Sequence, residues 1–270
     1  MKPKMVKSLA ALFLGSVLVI TPAVSAATFN WTRLVSGNAS GSWGTQAWWS
    51  GGTLPTTTND TANFTTLDIT ADSTVTLDGN RSIKALAFGD TNSASGANWF
   101  LAAGTPASAA LTLGGSSPTV DVSGLAVGKA AVISAVLVGT NGLTKTGDGY
   151  LTLNAANTYS GTTILSPQVG NGGISCNHDS AFGTSKVQIG ATAGDSQAWF
   201  QSGGNHILTN SFEIRSVRWI IDSSQVGPTP AGDLTLNGSI YLNQGALNVR
   251  DIYCLKNLLL TASTQSNRAN

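Results

Sequence analysis

The sequence predicts an all-β fold, a β-helix or β-solenoid of short repeated strands, on three observations. Apolar and polar residues alternate over segments of about four to seven residues, and Gly or Asn turns separate the segments. A leucine-threonine-leucine phrase followed by Asn or Gly recurs at 111–114, 151–154 and 234–237, with a weaker version, Val-Thr-Leu-Asp-Gly, at 75–79. Charged residues are 10% of the chain and hydrophobic ones 41%, so Gly, Ser, Thr and Asn stand where helices would need charged faces. A β-sandwich is the competing architecture. Short strands, tight turns and internal repetition favour coils that bury their apolar faces only against their neighbours.

Taken in order, residues 1–26 read as a secretory signal peptide. Lys2, Lys4 and Lys7 form a basic start, Leu9 to Ile20 is an apolar run, Pro22 breaks it, and Val24-Ser25-Ala26 precedes a cut ahead of Ala27. As a helix the run would reach about 18 Å, short of the roughly 30 Å hydrocarbon core, so no membrane span is expected after signal cleavage. Residues 27–66 hold Trp31, Trp43, Trp48 and Trp49 together with Gly51-Gly52 and Pro55, and read as an N-terminal cap over the first coil. Residues 67–254 read as the solenoid, with strands such as Val75-Thr76-Leu77, Leu111-Thr112-Leu113, Val120-Asp121-Val122, Lys186-Val187-Gln188-Ile189 and Leu234-Thr235-Leu236. Residues 255–270 turn polar and read as a tail or truncated end.

The clearest repeat lies at 142–190. Gly142-Leu143-Thr144-Lys145-Thr146-Gly147-Asp148-Gly149-Tyr150-Leu151-Thr152-Leu153 is followed by Asn157-Thr158-Tyr159-Ser160-Gly161-Thr162-Thr163-Ile164. Ser180-Ala181-Phe182-Gly183, Val187, Ile189 and Gly190 continue it. Alternation places Leu151 and Leu153 on one face with Leu143 as companion, and assigns Tyr159 and Ile164 to corner and core. Gly147, Gly149 and Gly161 suit positive φ or close backbone approach, and Asn157 suits a turn or a side-chain ladder between coils. The stretch closely resembles the autotransporter-associated β-strand repeat; Trp43, Trp48, Gly51-Gly52, Pro55, Asp60 and Phe64 resemble the segment that opens many exported proteins of that kind. The resemblance implies a right-handed β-helix, export, and a passenger-like role in display or adhesion. Two steps depart from it: Asn154-Ala155 replace a Gly, and Ser166-Pro167-Gln168-Val169-Gly170 replace a glycine-x-leucine step. The residues after Gly190 are too few for the β-barrel of a complete autotransporter, so self-transport is not expected to carry over.

Little points to catalysis. The 13 acidic residues are twelve aspartates and Glu213, and the aspartates are scattered, mostly at Gly/Asn-rich turns. A β-helix polysaccharide enzyme would need two of them to meet across coils. Cys176, His178, Asp179 and Ser180 are adjacent in sequence, whereas a triad comes from spatial convergence. His206 reads as isolated, and the spacing of the two His and two Cys gives no zinc pattern. Cys176 and Cys254 are more than three coils apart at roughly 22 residues per coil, near 17 Å at about 4.8 Å per coil, beyond the ~7 Å of a disulfide. No glycine-rich stretch matches a phosphate loop, and no cofactor is called for.

Net charge is +1, or about −2 without the leader lysines, and no basic stripe exists, so nucleic acid is not an expected partner. The expected function is an exported, non-enzymatic, passenger-like protein of the extracellular space or bacterial cell surface, meeting a glycan or matrix surface and open to edge-to-edge self-association. Two alternatives stand beside it: a carbohydrate-binding module stacking sugars on Trp48, Trp49 and Trp99, and a truncated β-helix polysaccharide-degrading enzyme.

Overall fold

Strands this short cannot bury an apolar face alone, and the chain solves the problem by winding. The computed structural model describes residues 25–166, 172–191, 198–215, 218–221, 232–242, 251–254, 258–260 and 264–266. Three faces are built from parallel strands. The first is a ten-stranded sheet: β1 (Thr28–Asn30), β3 (Thr61–Phe64), β6 (Ala85–Phe88), β9 (Thr119–Val122), β12 (Leu143–Thr146), β14 (Thr162–Leu165), β16 (Lys186–Ile189), β19 (Phe212–Ile214), β22 (Ile240–Leu242) and β25 (Thr264–Ser266). The second has nine strands: β2 (Gly41–Ser42), β4 (Ser73–Leu77), β7 (Trp99–Ala103), β10 (Ala130–Ile133), β13 (Tyr150–Leu153), β15 (Gly173–Cys176), β17 (Ala198–Ser202), β20 (Arg218–Ile221) and β23 (Asp251–Cys254). The third comes in two separate pieces: β5 (Arg81–Ile83), β8 (Ala110–Leu113) and β11 (Val136–Val138), then β18 (His206–Leu208), β21 (Leu234–Leu236) and β24 (Leu258–Leu260).

Chain order alternates between the first two faces, and in six of the turns a strand of the third face, β5, β8, β11, β18, β21 or β24, follows. This is a β-solenoid. Among the described residues the only helical elements are two 3-10 turns, Gln46–Trp48 and Ser50–Gly52.

Register stacks like on like. On the first face Ala62, Leu86, Val120, Lys145, Leu165, Ile189, Ile214 and Leu242 form one inward column. On the second, Trp99, Ala131, Leu151, Ile174, Phe200 and Ile221 form another. These columns make one continuous core. Leu143 and the pair Leu151 and Leu153 therefore meet as companions, but across the core from different faces.

Residues 27–66 do more than cover an end. β1 and β2 already pair in the first two sheets, and Trp31, Trp43 and Trp49 pack with Phe64, Phe88 and Trp99 into an aromatic plug. Each indole N–H finds a carbonyl: Trp31 on Ala39, Trp43 on Pro55, Trp49 on Trp43 and Trp99 on Gly89. At the other end, β24 and β25 extend the parallel pairing past residue 254. Residues 1–24 of the expected signal peptide lie outside the described residues.

Candidate functional site

The repeat at 142–190 builds the coil where the third face is interrupted. Residues 154–161 and 177–185 carry no strand, and separate backbone bonds span the gap. Thr158 N–H donates to Leu137 O (3.0 Å), Ser160 N–H to Gly139 O (2.9 Å) and Thr184 N–H to Tyr159 O (3.0 Å). Asn157 is buried and joins three turns. Its Oδ1 accepts from Leu137 N–H (2.8 Å) on the turn before, and its Nδ2 donates to Ala181 O (2.7 Å) on the turn after. Asn210 does similar work two turns later, its Nδ2 donating to Ser185 O (2.8 Å) on the turn before it.

The glycines fit the corners. Gly147 and Gly161 have φ of +81° and +92°, and Gly142 and Gly161 lie back to back on successive turns. Gly149 has ordinary φ and is needed for space, because a Cβ there would meet Val122 Cγ1 at 2.7 Å.

Inside the coil the residue phase differs from expectation at one strand. β14 turns Thr163 and Leu165 inward, and Ile164 faces outward and is half-buried. The reason is hydrogen bonding. Tyr159 is fully buried, its hydroxyl lies 2.8 Å from Thr163 Oγ1, and Thr163 Oγ1 lies 2.7 Å from Ser185 Oγ. Three hydroxyls satisfy one another, and an inward Ile164 would leave the phenol without a partner. Burial pushes the Tyr159 phenol well above its usual range.

Lys145 is the least expected inhabitant of the core. It is 1% exposed, in the aliphatic column between Val120 and Leu165. Its Nζ donates to Thr146 O (2.7 Å) and Gly147 O (2.8 Å). Burial lowers its pKa to about 7, against the opposing pull of Asp121 and Asp148. The alternation of Leu143 and Lys145 in β12 carried that signal, since both fall on one face.

The sugar-stacking aromatics do not assemble. Trp49 and Trp99 are buried in the plug, at 2% and 0% exposure, so their faces are not open to a ligand. Trp48 is half-buried, edge-on to Trp31, with the Arg33 guanidinium 5.0 Å over its ring. The sequence holds two Trp-Phe pairs, Trp99-Phe100 and Trp199-Phe200, and they run in opposite phase: Trp99 is inward and Phe100 outward, whereas Trp199 is outward and Phe200 inward.

Nor do the triad-like neighbours converge. His178 Nδ1 accepts from Ser180 N–H (2.9 Å), while Asp179 reaches to the following turn and pairs with His206 (2.9 Å). His206 is thus not isolated, because residues one turn apart stack. That hydrogen bond holds the Asp179 carboxyl below its usual range. Burial, with the Asp68 charge adding to it, pushes the Asp90 carboxyl up. Among the described residues, no group of three or more His, Cys, Asp or Glu side chains converges. Cys176 is a free, buried thiol. Backbone pairing places Cys254 three turns from Ile174, the inward neighbour of Cys176 on β15; the Cys254 side chain lies outside the described residues.

Comparison with known proteins agrees with this geometry. Residues 143–166 match the Passenger-associated-transport-repeat family, so the chain carries an autotransporter-associated repeat. Over 136 residues it is 35% identical to the adhesin BmaC autotransporter of Brucella suis biovar 1 (strain 1330). The match spans 49% of this chain and 4% of the adhesin. No solved structure matches.

Proposed function

We propose that this chain is an exported, passenger-like piece of a surface adhesin that works as a structural rod rather than as an enzyme. The observation that carries the reading is the repeat itself: its asparagine, tyrosine and threonine tie one turn to the next, its lysine is bonded within its own turn, and Lys145, Asn157, Tyr159 and Thr163 are all buried. Polar groups committed in this way are not available to a substrate. The low charge of the chain points to contact with a glycan or matrix surface through hydroxyls and amides. The basic, apolar and small-residue order of residues 1–26 supports export.

The test is retention of the chain cut at Ala27 on immobilised matrix proteins and polysaccharides. Saturable retention with little salt dependence is expected, since few charges are available to screen. No retention on any surface sinks the adhesive role. Export is tested separately: the chain with its leader should leave the bacterial cytoplasm and begin at Ala27, and retention of the intact leader inside the cell rejects it.

A further inference from the structure

The third face of the solenoid is two short ladders, β5-β8-β11 and β18-β21-β24, and the repeat coil separates them. On either side, turns are tied along three faces; across 154–161 and 177–185 they are tied by strands along two. That same coil sets a lysine into the aliphatic column of the first face.

The surroundings of the amine select one form of it. A neutral amine has two N–H donors, and an ammonium has three. The structure supplies Lys145 Nζ with two acceptors, the carbonyls of Thr146 and Gly147. A third proton would find aliphatic neighbours, Val120 before it and Leu165 after it in the column. The charged groups that face the amine are Asp121 on β9 and Asp148 in the turn after β12, and both favour the ammonium. The Asp121 oxygens are already taken by the hydroxyls of Thr146 (2.7 Å) and Ser123 (2.9 Å).

We propose that the repeat coil is the joint at which the solenoid opens locally, and that protonation of Lys145 controls the opening.

The direction follows from linkage. The folded amine titrates near 7 and the exposed one near 10.5. Below about pH 7 both states hold the proton, and the cost of burying the charge is borne in full. Between those values only the open state holds it, so closure strengthens as pH rises. The joint is therefore loose in mild acid and tight in mild alkali.

The test is amide hydrogen exchange on the full chain at pH 6.5 and 8.5, corrected for intrinsic rates. Protection in β12, β13 and β14 should rise by roughly tenfold or more over that interval, while protection in β6 and β7 stays level. Lys145→Met, which keeps an unbranched chain of similar length, should abolish the rise. A rise of equal size in every turn, or one that survives Lys145→Met, overturns the proposal. Carbon NMR of the lysine ε-carbons in the unsubstituted chain reads the amine directly, whether or not the variant folds. Titration of Lys145 near 7 supports the joint, and titration near 10.5 overturns it.

Discussion

At the scale of residues, the buried hydroxyl group of Tyr159, Thr163 and Ser185 decides which side of β14 faces the core. Its members act as a unit, so their deletions should not add. Thr163→Val leaves the other two hydroxyls buried and short of a partner, at a cost of about 1–3 kcal/mol, and Tyr159→Phe costs about 1 kcal/mol. The double variant should cost less than the sum in urea unfolding, and strict additivity counts against a coupled network. The glycines make a harder demand. Gly147→Val forces a branched side chain to φ of +81° with its Cβ 2.2 Å from Val122 O, and should lower stability by at least ~2 kcal/mol. Gly149→Val should also weaken the coil, through collision with Val122 alone, and unchanged thermal melting would contradict this.

Among elements, the N-terminal turns and the middle of the stack are filled differently. The N-terminal turns are filled by rings, with Trp31 and Trp49 edge to face at 5.0 Å and Phe64 stacked on Phe88 at 5.1 Å. Aromatic side chains bring large buried area with few torsions to fix, which suits the first turn of a stack, where one neighbour is missing. Trp43→Ala should cost about 3–5 kcal/mol and lower the melting temperature, and a surface-like loss below ~1 kcal/mol would contradict its place in the plug. Farther along, β15 holds Cys176 inward, where its Sγ donates to Gln201 O and burial pushes the thiol up to about 12. It should resist thiol reagents at pH 8 until the chain unfolds, with Cys176→Ser identifying its signal; fast labelling of the folded protein would show the coil to be open there.

For the molecule as a whole, contacts run from turn to turn, so folding can nucleate in one block and add coils in sequence. The interruption of the third face makes the repeat coil the natural boundary between two blocks. A buried polar group can also set register: slipping the stack by one turn would take the Thr163 hydroxyl away from Ser185, a penalty absent from a uniform column. The motif thus costs stability and restricts the chain to one pairing.

The strands were legible from the sequence, because period-two alternation and Gly/Asn turns are local properties of the chain, and the repeat announced the solenoid through its spacing. The glycine corners at 147 and 161 were legible for the same reason. What alternation cannot give is phase in a strand such as Thr162-Thr163-Ile164-Leu165, where a hydroxyl with partners outranks an isoleucine. Nor can it pair Asp179 with His206, because stacking depends on the length of each turn, and the turns vary: Thr144 pairs with Ile164, whereas Ala85 pairs with Thr119. The break in the third face and the enclosure of Lys145 likewise belong to the tertiary structure. Local sequence sets the dihedral pattern, but burial and hydrogen-bond partners are supplied by neighbouring turns, and only the assembled stack says which residue meets which.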